Sequence, residues 1–233
     1  MEFSYKLVKN LDRFSSIYRR DGFNTAAYVY FYDVASRITP FSIYRIMRLR
    51  ADKIAPGFEK LPHGFSIRAL TTAEAFDHAE DSRNDMTVAF VQEAVANDET
   101  CMGVFNGDQL AAYGWYADKP CHTRRELYVF FGNTHKYQHK GFTYPAYRGR
   151  RLHAFGKAYA CRYYTRQGYT GIFSIVEAHN LNSLRSNLRM GAEVAGSLYV
   201  LMLFDRYRTY RDFGSRQLDC SLGPLDKKLK SSE

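Results

Sequence analysis

From Phe65 onward the apolar positions fall into short alternating runs, broken by turn signals and by stretches with helical spacing. Phe65-Ser66-Ile67-Arg68-Ala69-Leu70 alternates as a strand does, and Thr71-Thr72-Ala73-Glu74 has the spacing of a capping box opening a helix. Met86, Phe90, Val91 and Val95 recur at helical intervals and predict a second helix from about Asp85 to Ala96. Cys101 to Phe105 and Leu110 to Tyr116 read as strands joined at Asn106-Gly107, a dipeptide suited to the positive φ of a tight hairpin. Glu126 to Phe131 and His139 to Thr143 supply a further strand pair. Then come a helix from Leu152 to about Arg166, a buried strand over Ile172 to Val176, a short helix from Asn180 to Met190 and a strand from Gly196 to Phe204.

Before residue 64 the pattern is less regular. Thr25 to Ser36 is rich in Tyr, Phe and Val, and Pro40 stands where a new helix would start. After it Ile43, Ile46, Met47 and Leu49 interleave irregularly with Arg45, Arg48 and Arg50, which predicts a basic amphipathic helix. Such a helix either packs on the rest of the chain or touches an anionic membrane or partner. Pro56-Gly57 and Pro62-His63-Gly64 mark a boundary. The expected organisation is an N-terminal helical extension over 1–63, a main domain over 64–206 and a tail over 207–233 with a frayed, Lys-rich end.

Composition narrows the class. A chain of 233 residues can bury one good core, and 45% hydrophobic with 16% aromatic residues argues against disorder. No run of about twenty apolar residues exists and Met1 to Lys6 carries no signal-peptide core, so a cytoplasmic protein is expected. Cys101, Cys121, Cys161 and Cys220 lack paired spacing and read as reduced thiols. The net charge of +9 is compatible with a polyanionic cofactor, an anionic membrane or nucleic acid, although much of it can be solvated surface.

The candidate chemistry centres on Tyr144-Pro145-Ala146-Tyr147-Arg148-Gly149-Arg150-Arg151-Leu152-His153-Ala154. A strand-like run enters this basic, Gly-containing turn and a helix leaves it. The first amides of that helix lack internal partners, and with the helix dipole and the arginines they favour a phosphate or pyrophosphate.

The same residues carry a resemblance. Pro-x-Tyr-Arg-Gly before a helix start resembles the acetyl-CoA-binding segment of the Gcn5-related N-acetyltransferases, the GNAT superfamily, whose pattern is Gln/Arg-x-x-Gly-x-Gly/Ala. Arg148 fills the first position, while Arg151 and His153 stand where small residues are expected. About thirty residues downstream, the strand ending at Glu177 is followed by Asn180, Ser183, Arg189 and Gly191. These match the superfamily's Asn-x-x-Ala/Ser and Lys/Arg-x-Gly. Tyr113-Gly114-Trp115-Tyr116 and Thr143-x-Pro145-x-Tyr147-Arg148-Gly149 are also similar to a group of bacterial members.

The resemblance implies an α/β (α+β) fold, a mixed twisted sheet flanked by helices. It implies direct transfer of an acetyl group from acetyl-CoA to a small-molecule or peptide amine. By it, Phe142 and Thr143 would pair with the pantetheine arm. Backbone amides around Arg148, Gly149, Arg150, Arg151, Leu152, His153 and Ala154 would hold the pyrophosphate, and Asn180 and Ser183 would add contacts. Arg151 is tolerated at negative φ and costs on the order of 1 kcal/mol at positive φ. His153 is either a phosphate contact or a packed first-turn residue. Glu177 is the candidate base, or else the cap of the following helix. Asn187 occupies the place where many members carry a tyrosine acid, which leaves Tyr199, another tyrosine or water for that role.

Two other classes remain open: a longer acyl donor delivered by an acyl carrier protein to a basic docking surface, and a non-catalytic CoA-binding module. His135 and His139 have helical metal-ligand spacing, but their Lys- and Tyr-rich context reads as loop and strand with no suitable Asp, Glu or Cys nearby, so no metal is expected. Neither a Gly-x-Ser-x-Gly elbow nor a P-loop occurs, which removes hydrolase and NTPase readings. Tyr207 to Arg211 reads as an exposed strand end, and no nucleic acid is expected.

Overall fold

The computed structural model describes residues 14–38, 41–124, 127–203 and 206–225. The expectations for Met1 to Lys6, Pro40, Glu126, Phe204 and the last eight residues lie outside them.

Residues 14–21 are helical (α1), followed by α2 (Phe23–Ile38) and β1 (Phe41–Leu49). Next come β2 (Phe65–Ala69), α3 (Thr72–Ala79), α4 (Val88–Ala96), β3 (Thr100–Asn106), β4 (Gln109–Ala117), β5 (Cys121–Arg124) and β6 (Leu127–Phe130). The chain continues through β7 (His135–Thr143), α5 (Leu152–Arg166), β8 (Gly171–Glu177), α6 (Leu181–Met190) and β9 (Glu193–Leu203). It closes with β10 (Arg206–Arg211), α7 (Phe213–Gln217) and β11 (Ser221–Gly223). Local signals act where expected. Thr71 and Glu74 form the reciprocal capping box of α3, and Gly107 turns the β3–β4 hairpin at φ 58°.

An eight-stranded sheet in the order β10-β9-β1-β8-β7-β4-β3-β2 forms the centre. β7 and β8 run parallel, and the other neighbouring pairs in it run antiparallel. One face packs under α5 and α6 through Met47, Leu49, Ala154, Ala158, Ile172 and Met190. The other is covered by α3 and α4 at one end, through Ala75, Val91, Phe105 and Trp115. A three-stranded sheet, β11-β6-β5, covers the rest of that face.

Three expectations are corrected. Phe41–Leu49 is a strand and not a basic helix, and it lies inside the sheet between β8 and β9. Both its faces are covered, Tyr44 and Ile46 on one and Met47 and Leu49 on the other, so it shows no simple alternation. Its arginines reach β9: Arg45 Nη1 donates to Ser197 Oγ at 2.6 Å and Arg48 Nε to Glu193 Oε1 at 2.8 Å. Sheet and extension therefore share residues before 64. Second, β6 pairs with β5 and β11, not with β7. Third, the chain after Tyr207 is built into the fold through β10, α7 and β11, with Cys220 and Leu222 buried.

Candidate functional site

The central feature is a fork in the sheet. β7 and β8 pair at His135↔Gly171, Lys136↔Ile172 and Tyr137↔Phe173, and no further. Beyond Tyr137, β7 follows β4 instead. There the register shifts from Gly114↔Gly141 to Trp115↔His139, leaving Lys140 as an extra residue at φ 33°. A bulge of this kind bends a strand away from its neighbour. It leaves the edge of β7 that faced β8 available to an extended ligand, the geometry of strand addition. Phe142 and Thr143 lie on this stretch, opposite Tyr113 and Ala112 of β4, and the Thr143 carbonyl accepts from Arg148 Nε at 3.3 Å.

β7 leads directly into the basic turn and the start of α5. Gly149 has φ 81° with open space where a Cβ would point, and Arg151, the residue before the helix, has φ 60°. The positive-φ alternative for Arg151 is the one realised, and the side chain is exposed. An L-residue there costs about 1–2 kcal/mol, against about 0.5–1 kcal/mol of extra chain entropy lost by glycine. Arg151→Gly is therefore expected to raise stability by up to about 1.5 kcal/mol, read as a Tm increase of a few degrees. A lower Tm would mean that the arginine makes an offsetting contact. The Ala154 amide already donates to the Arg151 carbonyl at 3.0 Å, so the donors remaining at this end are those of Gly149 to His153. Leu152 and Ala154 turn their side chains into the core.

His153 resolves as a packed residue and not a phosphate contact. Gln138 Nε2 donates to its Nε2 at 3.2 Å, and a Cβ on Gly141 would stand 2.0 Å from that atom. Burial pushes its pKa down to about 4, so the ring is neutral at neutral pH. Gly141 thus serves two ends: it follows the bulge and makes room for the ring.

On the opposite face the fork opens into a cavity of about 550 Å³. Its wall includes Tyr137, His139 and Lys140 from β7, Glu177 from β8, and Asn180 and Ser183 from the start of α6. Asn180 caps α6, its Oδ1 accepting from the Ser183 amide at 3.2 Å. The capping alternative for Glu177 is thereby taken by Asn180. Glu177 has a side chain 35% exposed and lies 3.4 Å from His179 Nε2. Tyr199 sits on β9, two strands from β8, 39% exposed and outside the cavity wall, so the fold does not bring it to this site.

The sequence reading overlooked the best-organised group. His139 Nε2 lies 2.7 Å from Glu99 Oε2, with the Glu99 side chain only 3% exposed. Cys121 Sγ donates to Glu99 Oε1 at 3.5 Å. The expectation that no acid or thiol stands near these histidines is corrected, because Glu99 and Cys121 converge on His139 from other parts of the chain. His135 lies elsewhere, its Nδ1 2.9 Å from Thr134 Oγ1. The Tyr137 ring stacks on His139 at 5.6 Å and Phe90 meets it edge-on at 5.9 Å, which fixes the imidazole plane. Alternation of side chains along β7, with His139 two residues after Tyr137, was the one available signal.

No protein-family model and no curated protein matches the chain. Solved structures do resemble it. A GNAT-family acetyltransferase from Colwellia psychrerythraea is 11% identical, with a TM-score of 0.50 over 73% of this chain and 56% of that one. A GCN5-related N-acetyltransferase-like protein from Streptococcus suis gives 12% identity and a TM-score of 0.48, covering 77% and 68%. A putative GNAT acetyltransferase from Novosphingobium aromaticivorans gives 18% and 0.47, covering 69% and 63%. The chain thus spans between 56% and 68% of the length of these proteins. The likeness is one of fold: a mixed α/β architecture around a mostly antiparallel sheet.

Proposed function

We propose that this chain, which has the GNAT fold, transfers an acetyl group from acetyl-CoA directly to an amine. The observation that carries the reading is the fork: an unpaired β7 edge running straight into a turn with five candidate backbone donors and three arginines. These residues suit the two halves of CoA. The β7 edge past Tyr137 can hydrogen-bond the amide-bearing pantetheine arm as a neighbouring strand would. The amides of Gly149 to His153, with Arg148, Arg150 and Arg151 alongside, suit the pyrophosphate. The open space over Gly149 lets an anion approach the backbone.

Holding the thioester and the amine together supplies the largest share of the rate, because a thioester already reacts with a free amine. The neutral amine must lose a proton as its nitrogen bonds to the carbonyl carbon. His139 is placed to take it: with Nε2 engaged by Glu99, Nδ1 is the nitrogen left for a substrate in the cavity, and the carboxylate stabilises the imidazolium that forms. Glu177, on the far side of the same cavity, is placed to attract a cationic amine. His139, Lys140 and Glu177 on the wall favour a short acyl group and a polar acceptor over a long acyl chain.

The test is thiol release on addition of amines to protein and acetyl-CoA, repeated with Gly149→Glu. Wild type is expected to show amine-dependent release. Gly149→Glu, which sets a negative charge against the pyrophosphate, should weaken acetyl-CoA binding more than tenfold, whereas Gly149→Ala should retain it. Equal binding by Gly149→Glu and wild type would mean that the turn is not the anion site.

A further inference from the structure

Lys157 is a buried titratable group that the reaction outlined above does not use. It sits one turn beyond His153 on the apolar side of α5, between buried Ala154, Ala158 and Cys161, and is itself 2% exposed. Its Nζ donates to Ser174 Oγ on β8 and to Asn187 Oδ1 on α6, both at 2.7 Å. Asn187 is held in turn, its Nδ2 donating to the Ser183 carbonyl at 2.9 Å. Two neutral oxygens do little to offset the cost of burying an ammonium group, so a lysine kept here for packing alone would be an expensive choice.

Its place relative to the fork gives it a use. Tyr137↔Phe173 is the last pair between β7 and β8, and Ser174 is the next residue on β8. The Lys157 ammonium therefore meets the sheet at the apex of the fork, on the α5–α6 face. His139 stands two residues past Tyr137 on β7, on the opposite face, where its ring stacks with Tyr137. A thioester lodged in the fork would have a base on one face and a cation on the other.

We propose that Lys157 is the acid that protonates the departing thiol, an inference resting on the acyl-transfer reading above. The amine nitrogen bonds to the thioester carbonyl carbon and gives its proton to His139. The carbon–sulfur bond breaks, its electron pair goes to sulfur, and Lys157 Nζ passes a proton to that sulfur. Exchange with water afterwards removes the proton from His139 and restores it to Lys157. Burial supports the assignment by pulling the Lys157 pKa down to about 7, which makes the ammonium a ready donor.

This assignment sets a pH dependence. Lys157 acts when protonated, so turnover falls as pH rises through its pKa. On α5 its titratable neighbours are His153, pushed by burial down to about 4, and Cys161, pushed by burial up to about 11. From β8 and α6 it meets Ser174 and Asn187, which do not titrate. Tyr116 of β4, in the same apolar cluster, is held well above the usual phenol range by burial, and both α5 neighbours are uncharged between those two values, so the alkaline decline is assigned to Lys157.

The experiment compares wild type, Lys157→Met and Asn187→Asp for kcat against pH, acetyl-CoA affinity by calorimetry, Tm, and intact mass after incubation with acetyl-CoA. Lys157→Met is expected to lower kcat at least tenfold with affinity within about threefold, and to lose the alkaline decline. Asn187→Asp keeps the lysine and puts a carboxylate beside it, so the decline should move to higher pH by about one unit or more. The inference is overturned by an unchanged kcat in Lys157→Met, by an unmoved decline in Asn187→Asp, or by an acetyl group found on Lys157 in wild type. If wild type itself binds no acetyl-CoA, the parent reading has failed, which the same calorimetry reports separately.

Discussion

Replacing His139 with glutamine is expected to cut acetyl transfer on the order of 10²-fold or more while leaving acetyl-CoA affinity nearly unchanged. The imidazole lines the cavity beside the fork and its Nε2 is tied to a buried carboxylate, so in the proposed reaction its loss removes proton transfer without touching the turn at Gly149. Glutamine keeps a hydrogen-bonding group near Glu99 and avoids leaving that carboxylate buried and alone. Glu99→Gln should lower kcat in the same direction, by less, since the base survives without its partner. Steady-state kinetics read beside calorimetry make the check. A fall in affinity matching the fall in rate would place His139 in binding, and no fall in rate would hand the role to Glu177.

The largest effect on stability is expected from Gly191→Ala. Gly191 ends α6 at φ 99°, and an added Cβ would come within 1.9 Å of the Lys53 carbonyl oxygen and 3.1 Å of the Ala55 amide. Backbone cannot move aside as a flexible side chain can, and here the Ala55 amide is also bonded to the Met190 carbonyl at 2.9 Å. Left-handed strain of about 1–2 kcal/mol adds to overpacking of about 1–3 kcal/mol, giving a loss of about 2–5 kcal/mol. Gly149→Ala is the control, since it carries the same kind of φ with nothing within 4 Å and should lose only the strain. Thermal or urea unfolding of the two variants separates the contributions. Equal losses would show that the segment at Lys53 yields freely.

These two residues show what the sequence could and could not convey. Gly191 was visible as the end of a helix, because a glycine after an apolar-spaced run marks a left-handed cap. That it also forms a seat for the segment around Lys53 depends on a contact between distant parts of the chain. His139 was visible as a residue but not as a dyad, since Glu99 lies 40 positions away and Cys121 arrives on a separate sheet. Local signals placed the Thr71 capping box, the Asn106-Gly107 hairpin and α5 correctly, because each is decided by neighbouring residues. β1 was misread because a strand covered on both faces lacks alternation, and its arginines imitate a polar helix face. Whether His153 points outward or inward, and whether Arg151 takes positive φ, depends on the bulge at Lys140, a property of the β4–β7 pairing. Lys157 could have been noticed, as a charge on the apolar side of α5 between Ala154 and Cys161, although its partners on β8 and α6 could not.

The central claim is that the fork and the turn beyond it form an acyl-CoA site. Calorimetric titration of the full chain with acetyl-CoA tests it most directly. The account predicts saturable one-to-one binding in the micromolar range, weakened by added salt as the arginines are screened and weakened more than tenfold in Gly149→Glu. Absence of binding to wild type at low salt would contradict it, and affinity equal in wild type and Gly149→Glu would place the site elsewhere on the chain.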